Sequence, residues 1–452
     1  MTEKRDMFRT MFRVALPAAF HALISFVVVL ADDVMVSAVD ERFSQAAVTQ
    51  INSLTALYIA CITGLVGGAS VLIAQYWGKA DTEQIKKIFS IVLWVCLGVA
   101  VLFVGAAVCF PRVLVGLVVA RNESAVFGYA LPYLSIVCFS WLPYAVTTAL
   151  VGMLRSVEVV SITLYTAVVA LFANIGLNYV LIFGKLGLPA MGVAGAALAT
   201  CLARVIELLL VLWYALGRQK RLPLRFRSFF SFDRALFRDY LTYGVPVGIT
   251  DAQWALIGLL KAAIVGRLGA VFMAANGIAN AMVTVGTLFV FALAGGASVV
   301  VGKAVGRGDD ERAKAYAKII QKTFFAFGLL SAALVFCLRV PFISLYRSAA
   351  DPAVFALAKG LIAIVAVSLI GTCYHAACFV GINRGAGDSR FVAKVDMACG
   401  WLVVLPATFL SALVFHASLP VVYLCSRIDQ CFKWVIALLR LRGDKWIHHV
   451  TK

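Results

Sequence analysis

The sequence predicts an all-α membrane protein of twelve transmembrane helices, arranged as two six-helix lobes related by a pseudo-two-fold axis along the membrane normal. Three observations predict it. Apolar stretches long enough to cross a hydrocarbon core of about 30 Å recur from end to end. Charged residues gather in the short connections between those stretches, and the chain repeats itself once. Of 452 residues, 63% are hydrophobic and 14% are charged. A soluble protein carries about 25% charge, so the composition leaves no room for a separate soluble domain.

The first apolar segment, 14–38, follows a basic start containing Lys4, Arg5, Arg9 and Arg13. It runs on through Asp32 and Asp33 and shows no small-residue cleavage site, so it reads as a first span and not as a removed leader. Further spans are expected at 48–74, 88–110, 127–152, 160–184, 190–214, 240–266, 272–301, 319–340, 355–380, 392–415 and 418–439. The N-lobe is then 1–216, a basic cytoplasmic linker occupies 217–239, and the C-lobe is 240–452. Eleven cysteines are scattered singly without CxxC spacing, as small core residues would be.

A net charge of +18 could point to nucleic acid, but the placement of the cations argues against it. Most lie in the connections that are cytoplasmic if the N-terminus is cytoplasmic. The segment 217–239 alone holds Arg218, Lys220, Arg221, Arg225, Arg227, Arg234 and Arg238. This positive-inside bias puts both termini in the cytoplasm of a plasma (inner) membrane. The cationic loops suit anionic lipid headgroups. No nucleic-acid partner is expected, and the chain reads as a monomer.

Self-comparison gives the repeat. Pro17 and Pro246 stand 229 residues apart; GASVLIAQYWGKADTEQ from Gly68 and GASVVVGKAVGRGDDER from Gly296 stand 228 apart; GMLRS from Gly152 and GINRG from Gly381 stand 229 apart. Six spans per repeat is an even number, so both halves start on the same side of the membrane, the arrangement of parallel-repeat transporters. The repeated Gly-Lys-Ala-Asp and Gly-Arg-Gly-Asp stretches read as interfacial turns.

Several stretches together resemble the multidrug and toxic compound extrusion (MATE) family over the whole chain. They are ADDVMV in span 1, GASVLIAQYWGKAD after span 2, NIGLNYVLIFGKLGLPAMGVAGAALAT across spans 5 and 6, TDAQWALIGLLKAAIVGRLG in span 7 and GINRGAGDSR after span 10. The resemblance implies a twelve-helix antiporter that couples proton or sodium entry to export of small organic, often cationic, compounds. Four departures stand out: LRSVEVVS after span 4, Asp251 where Glu is common, Asp33 where Thr is usual, and Lys261.

Charge inside a bilayer costs at least about 2.5–3.5 kcal/mol per group, so each intramembrane charge needs a reason. His21, Ser25 and Asp32 fall within about 40° on span 1, one polar stripe on an apolar helix. Asp32 is the first candidate for taking a proton or sodium, and Asp33, about 100° round from it, is a further one. Asp251, Trp254, Gly258 and Lys261 form a second stripe on span 7. There Asp251 is the coupling candidate, Trp254 offers a π-face to an organic cation, and Lys261 either pairs with an acid or reaches the interface. Asn174 and Asn178 on span 5, and Asn276 and Asn280 with Thr284 and Thr287 on span 8, are candidates for lining a substrate cavity. Tyr374 and His375 on span 10 could extend a proton path, and Arg204 and Glu207 on span 6 could neutralise one another.

No phosphate-binding GxxxxGK[ST], HExxH or GxSxG motif is present, so no enzyme is expected. No cofactor is expected beyond a possible coupling sodium at Asp32 or Asp251. A flippase for a lipid-linked precursor, or a non-transporting membrane protein, is the alternative reading.

Overall fold

The structure is a computed structural model that describes residues 2–37, 44–119, 124–219, 221–346 and 351–449. Among the described residues, and leaving aside the short helix Pro111–Val118, thirteen helices carry the fold: α1 (Thr2–Ser37), α2 (Ala47–Gly78), α3 (Thr82–Cys109), α4 (Val126–Ser156), α5 (Ser161–Phe183), α6 (Gly192–Arg218), α7 (Arg234–Leu268), α8 (Val271–Gly306), α9 (Asp310–Ile343), α10 (Pro352–Asn383), α11 (Ser389–Val414), α12 (Leu419–Cys425) and α13 (Asp429–Leu441). Among the described residues, the ten helices from α2 to α11 are long and apolar enough to cross a membrane. With them the chain is an all-helical membrane protein.

The last expected span, 418–439, is not one continuous helix. It is α12 and α13 joined by a tight turn. Around this turn Arg427 donates its backbone N–H to Leu424, Ile428 to Cys425, Gln430 to Arg427 and Cys431 to Ile428, all three residues back. The turn is closely packed against a neighbouring helix. Gly371 of α10 lies so close to the carbonyl of Gln430 that a Cβ at 371 would overlap it.

The chain forms two compact units. One comprises Pro17–Ile73 and Asp81–Ala252; the other comprises Met1–Leu16, Ala74–Ala80 and Gln253–Lys452. The repeated Gly-Ala-Ser motif serves a close helix contact in each. In the first unit Gly68 of α2 lies against the backbone of Gly244 in α7. In the second, Gly296 of α8 lies against the carbonyl of Met11 in α1, within a core that includes Ala15, Ala294, Ala297, Val301, Ala313 and Ile320.

Segment 217–239 belongs wholly to the first unit, and part of it is a docked element. Ser90 Oγ and Trp94 Nε1 of α3 both donate to the Phe229 carbonyl, at 2.9 and 2.8 Å, and Phe89 meets the Phe229 ring edge-on. Asp233 then caps α7. Its carboxylate is held below the usual range by the backbone N–H of Leu236, assisted by Lys87 at 3.3 Å. Lys220 lies outside the described residues.

The two repeated turns are built alike. Asp81 accepts from the backbone N–H of Gln84, and Asp309 from that of Arg312, each capping the helix that follows. The residue before the cap is left-handed in both: Ala80 at φ 58° and, 228 positions later, Gly308 at φ 74°. An L-residue pays about 1–2 kcal/mol for that conformation, and glycine does not. Ala80→Gly should therefore raise stability by about 0.5–1 kcal/mol, and Gly308→Ala should lower it by a similar amount. Thermal unfolding of the detergent-solubilised protein checks both, and a loss of stability on Ala80→Gly would contradict the strain argument.

Candidate functional site

Each unit buries a cluster of charged and amide side chains among the described residues. In the first unit, α1 contributes Asp32, α5 contributes Asn174 and Asn178, and α6 contributes Arg204 and Glu207. Asp32 is 8% exposed and accepts a hydrogen bond from Asn178 Nδ2. The same amide nitrogen donates to Asn174 Oδ1 at 3.2 Å, as the i, i+4 spacing on one helix allows. Asn178 Oδ1 and Asn174 Nδ2 are fully buried with no partner in the protein.

Arg204 Nη1 lies 2.7 Å from Glu207 Oε2, and His21 Nε2 lies 3.9 Å from the other carboxylate oxygen. The Arg204 guanidinium also sits over the Tyr144 ring at 5.2 Å. A cavity of about 30 Å³, enough for one or two waters, is lined by His21, Ser25, Asn174, Thr200, Arg204 and Glu207 among others. Two carboxylates against one arginine leave this cluster one formal negative charge. Asp33 lies on the same helix, but its side chain is outside the described residues.

Asp251 also belongs to the first unit. It packs against α2 at Gly64, where an added Cβ would stand 2.9 Å from the Asp251 Cβ. The remaining candidates of that stripe lie in the second unit. The π-face of Trp254 is occupied by the chain's own cation: Lys433 Nζ stands 4.7 Å above the ring. Lys261 Nζ donates to the carbonyl of Ser426 at 3.2 Å, in the turn between α12 and α13.

Lys433 is the centre of the second cluster. It is 3% exposed, with Asp396 of α11 at 2.5 Å and Asp429 of its own helix at 3.6 Å. Gln430 Nε2 donates to Asp429 at 2.7 Å, and Thr372 of α10 donates to Gln430 Oε1 at 2.8 Å. His375 is buried against Phe379, with Nδ1 3.0 Å from the Gly371 carbonyl. The Tyr374 hydroxyl donates to Gln321 of α9 at 2.8 Å. Asn276 is half-buried and Asn280 is exposed on α8, and the hydroxyls of Thr284 and Thr287 turn back onto their own helix.

The sequence reading passed over Asp396, Asp429 and Lys433, although a signal for Lys433 was present. The offset of 229 that relates Pro17 to Pro246 carries Arg204 onto Lys433. The repeat thus holds a cation at one position of its sixth helix in both halves, and each cation pairs with buried carboxylates.

The MatE family model matches residues 17–180 and again 246–427, two blocks whose starts are the repeated prolines. The chain belongs to the MATE family. Its MATE relatives include a probable multidrug resistance protein NorM of Agrobacterium fabrum, 26% identical over 75% of this chain and 74% of its own. Another probable NorM, from Bradyrhizobium diazoefficiens, is 26% identical over 92% of this chain and 88% of its own. The uncharacterized transporter YisQ of Bacillus subtilis is 23% identical over 92% and 90%. The fold matches a MATE crystal structure in the bent conformation, with a TM-score of 0.86 at 19% identity over 97% of this chain and 96% of the other. It matches an outward-facing multidrug resistance MATE transporter at 0.85 and 18%, over 96% and 94%.

Breaking one of these buried pairs is expected to be costly, because it strands a charge. Arg204→Gln should destabilise the protein by about 3–5 kcal/mol, and adding Glu207→Gln should recover most of the loss. A double-mutant cycle of unfolding temperatures measures it, and additive losses would show that the pair is not coupled.

Proposed function

We propose that this MATE protein is a secondary active exporter of small organic compounds, driven by proton or sodium entry and working by alternating access of its two lobes. The observation that carries the reading is Asp32, a buried carboxylate held by Asn178 and placed in the same unit as the Arg204–Glu207 pair. The names of the NorM relatives, which denote multidrug resistance, support the substrate class. In this reading the protein sits in the plasma membrane with both termini cytoplasmic, which the bias of its basic connections supports, and works as a monomer.

The chemistry of the site follows from Asn178. An ionised Asp32 accepts the amide N–H. A protonated Asp32 is itself a donor, and Asn178 can turn its unpartnered Oδ1 toward it, since an amide offers both donor and acceptor. The site therefore satisfies its hydrogen bonds in either charge state, as a proton carrier must. Carboxylate and amide oxygens also suit a hard cation, so sodium is the competing driver. Glu207 is paired with Arg204 at 2.7 Å, so Asp32 is the acid we assign the change of charge. Asp251, in the same unit, is the second acid that coupling could use.

Export of ethidium from proteoliposomes under an imposed pH gradient, and separately a sodium gradient, tests the proposal. Wild type should respond to one of the two. Asp32→Asn should lose at least about 90% of that response while keeping its unfolding temperature, as expected when a coupling group loses its charge. Asp251→Asn should lower it as well. Gradient-driven export that persists in both variants would sink the mechanism.

A further inference from the structure

The second unit carries a cavity of about 860 Å³ between α9, α10 and the α12–α13 turn, open along the side where Phe325, Val367 and Trp434 are exposed, and its volume suits a drug-sized ligand. Its walls are mostly apolar, with Phe325, Ile364, Val367 and Trp434 among them, and its polar groups are few: Ser368, Gln430 and Arg427. Arg427 is the unusual member. It sits in the α12–α13 turn, level with Ser368, which lies halfway along the membrane-spanning helix α10. Its Nε donates to Ser368 Oγ at 3.0 Å, and the Tyr423 hydroxyl stands beside it. Among the described residues no carboxylate oxygen lies within 4 Å of it; Asp396 and Asp429 are engaged by Lys433 instead.

An intramembrane guanidinium with only neutral partners is expensive, and it presents a fork of N–H donors matched to a carboxylate. The surroundings do not supply the missing charge. Among the described residues, the carboxylates paired or charge-coupled with Lys261, Arg427 and Lys433 are Asp396 and Asp429, three cations against two anions.

We propose that this cavity binds a lipophilic organic anion, with its carboxylate on Arg427 and its apolar body against Phe325, Ile364, Val367 and Trp434. Depth separates this ligand from the headgroup of a membrane lipid. A headgroup is anchored at the interface, whereas a group level with the middle of α10 lies about 15 Å from it, half of a hydrocarbon core of about 30 Å. The ligand is therefore a free amphiphile. Gln430, which lines the cavity and also donates to Asp429, connects bound ligand to the buried carboxylates of the same unit. The site adds a substrate class to the proposed export and lies wholly within the second unit. Its test needs no gradient, so a failure here is separate from a failure of coupling at Asp32.

Trp434 reports on the cavity. The experiment uses full-length protein in phosphatidylcholine nanodiscs, titrated with 12-bromododecanoate, whose bromine quenches tryptophan emission, and with 12-bromododecylammonium. Trp434→Phe supplies the background. Saturable quenching of Trp434 by the carboxylate, with affinity at least about tenfold above that of the ammonium, is expected from a charge-assisted contact. Arg427→Gln should remove that preference. Val367→Trp, at a position 72% exposed and so tolerant of bulk, should block the cavity while leaving Arg427 in place. Equal binding of both amphiphiles overturns the proposal, as does binding unchanged in both variants. Displacement by phosphatidylglycerol in the disc also overturns it, by assigning the site to lipid.

Discussion

A formal charge in hydrocarbon has to be cancelled and hydrogen-bonded by its immediate neighbours. Within the two units Arg204 and Lys433 meet the requirement with buried carboxylates, Arg427 meets only its hydrogen-bonding half, and the placement of the polar side chains follows. Arg204 fixes Glu207, Lys433 fixes Asp396 and Asp429, and amides fill the remaining positions. Helices that carry these groups cannot rotate to face lipid, so the clusters set which face of α5, α6, α11 and α13 is turned inward. The apolar residues follow that choice more than they make it, since lipid tails are as good a solvent for leucine as a protein core is.

The two clusters are built from one plan and differ in sign. The first holds two carboxylates against one arginine. In the second, Lys433 plays the part of Arg204, but Lys261 and Arg427 stand close by and tip the balance to positive. A duplicated lobe has thus kept the position of its central cation and changed the charges around it. The two halves of such a protein can hold different ligands on one scaffold.

The fold class, the helix positions and the turn function of the Asp81 and Asp309 segments were legible in the sequence, because hydropathy and capping act locally. Asp32 was legible as well, since a lone acid in an apolar run stands out. Its tie to Asn178 was not, because it joins residues 146 positions apart. Trp254 shows the opposite failure. Its aromatic face was visible in span 7, but nothing nearby in the chain indicated that Lys433 would cover it. Lys433 and Asp429 were overlooked because they sit in the least regular span, where a broken helix blurs the periodic pattern. The family resemblance could not supply them, for it named the architecture and left these side chains unassigned.

That broken span also sets a phase. At the α12–α13 turn the chain passes from bonds four residues apart to bonds three apart and back, and a helical residue turns its successor by about 100°. One residue inserted or deleted there would swing all of α13 by that angle. Lys433 and its own-helix partner Asp429 would leave Asp396 and the Trp254 ring together, and Asp396 would be left buried without its cation. Length at this turn is therefore as constrained as sequence is, although on the page it looks like one more short connection between apolar stretches.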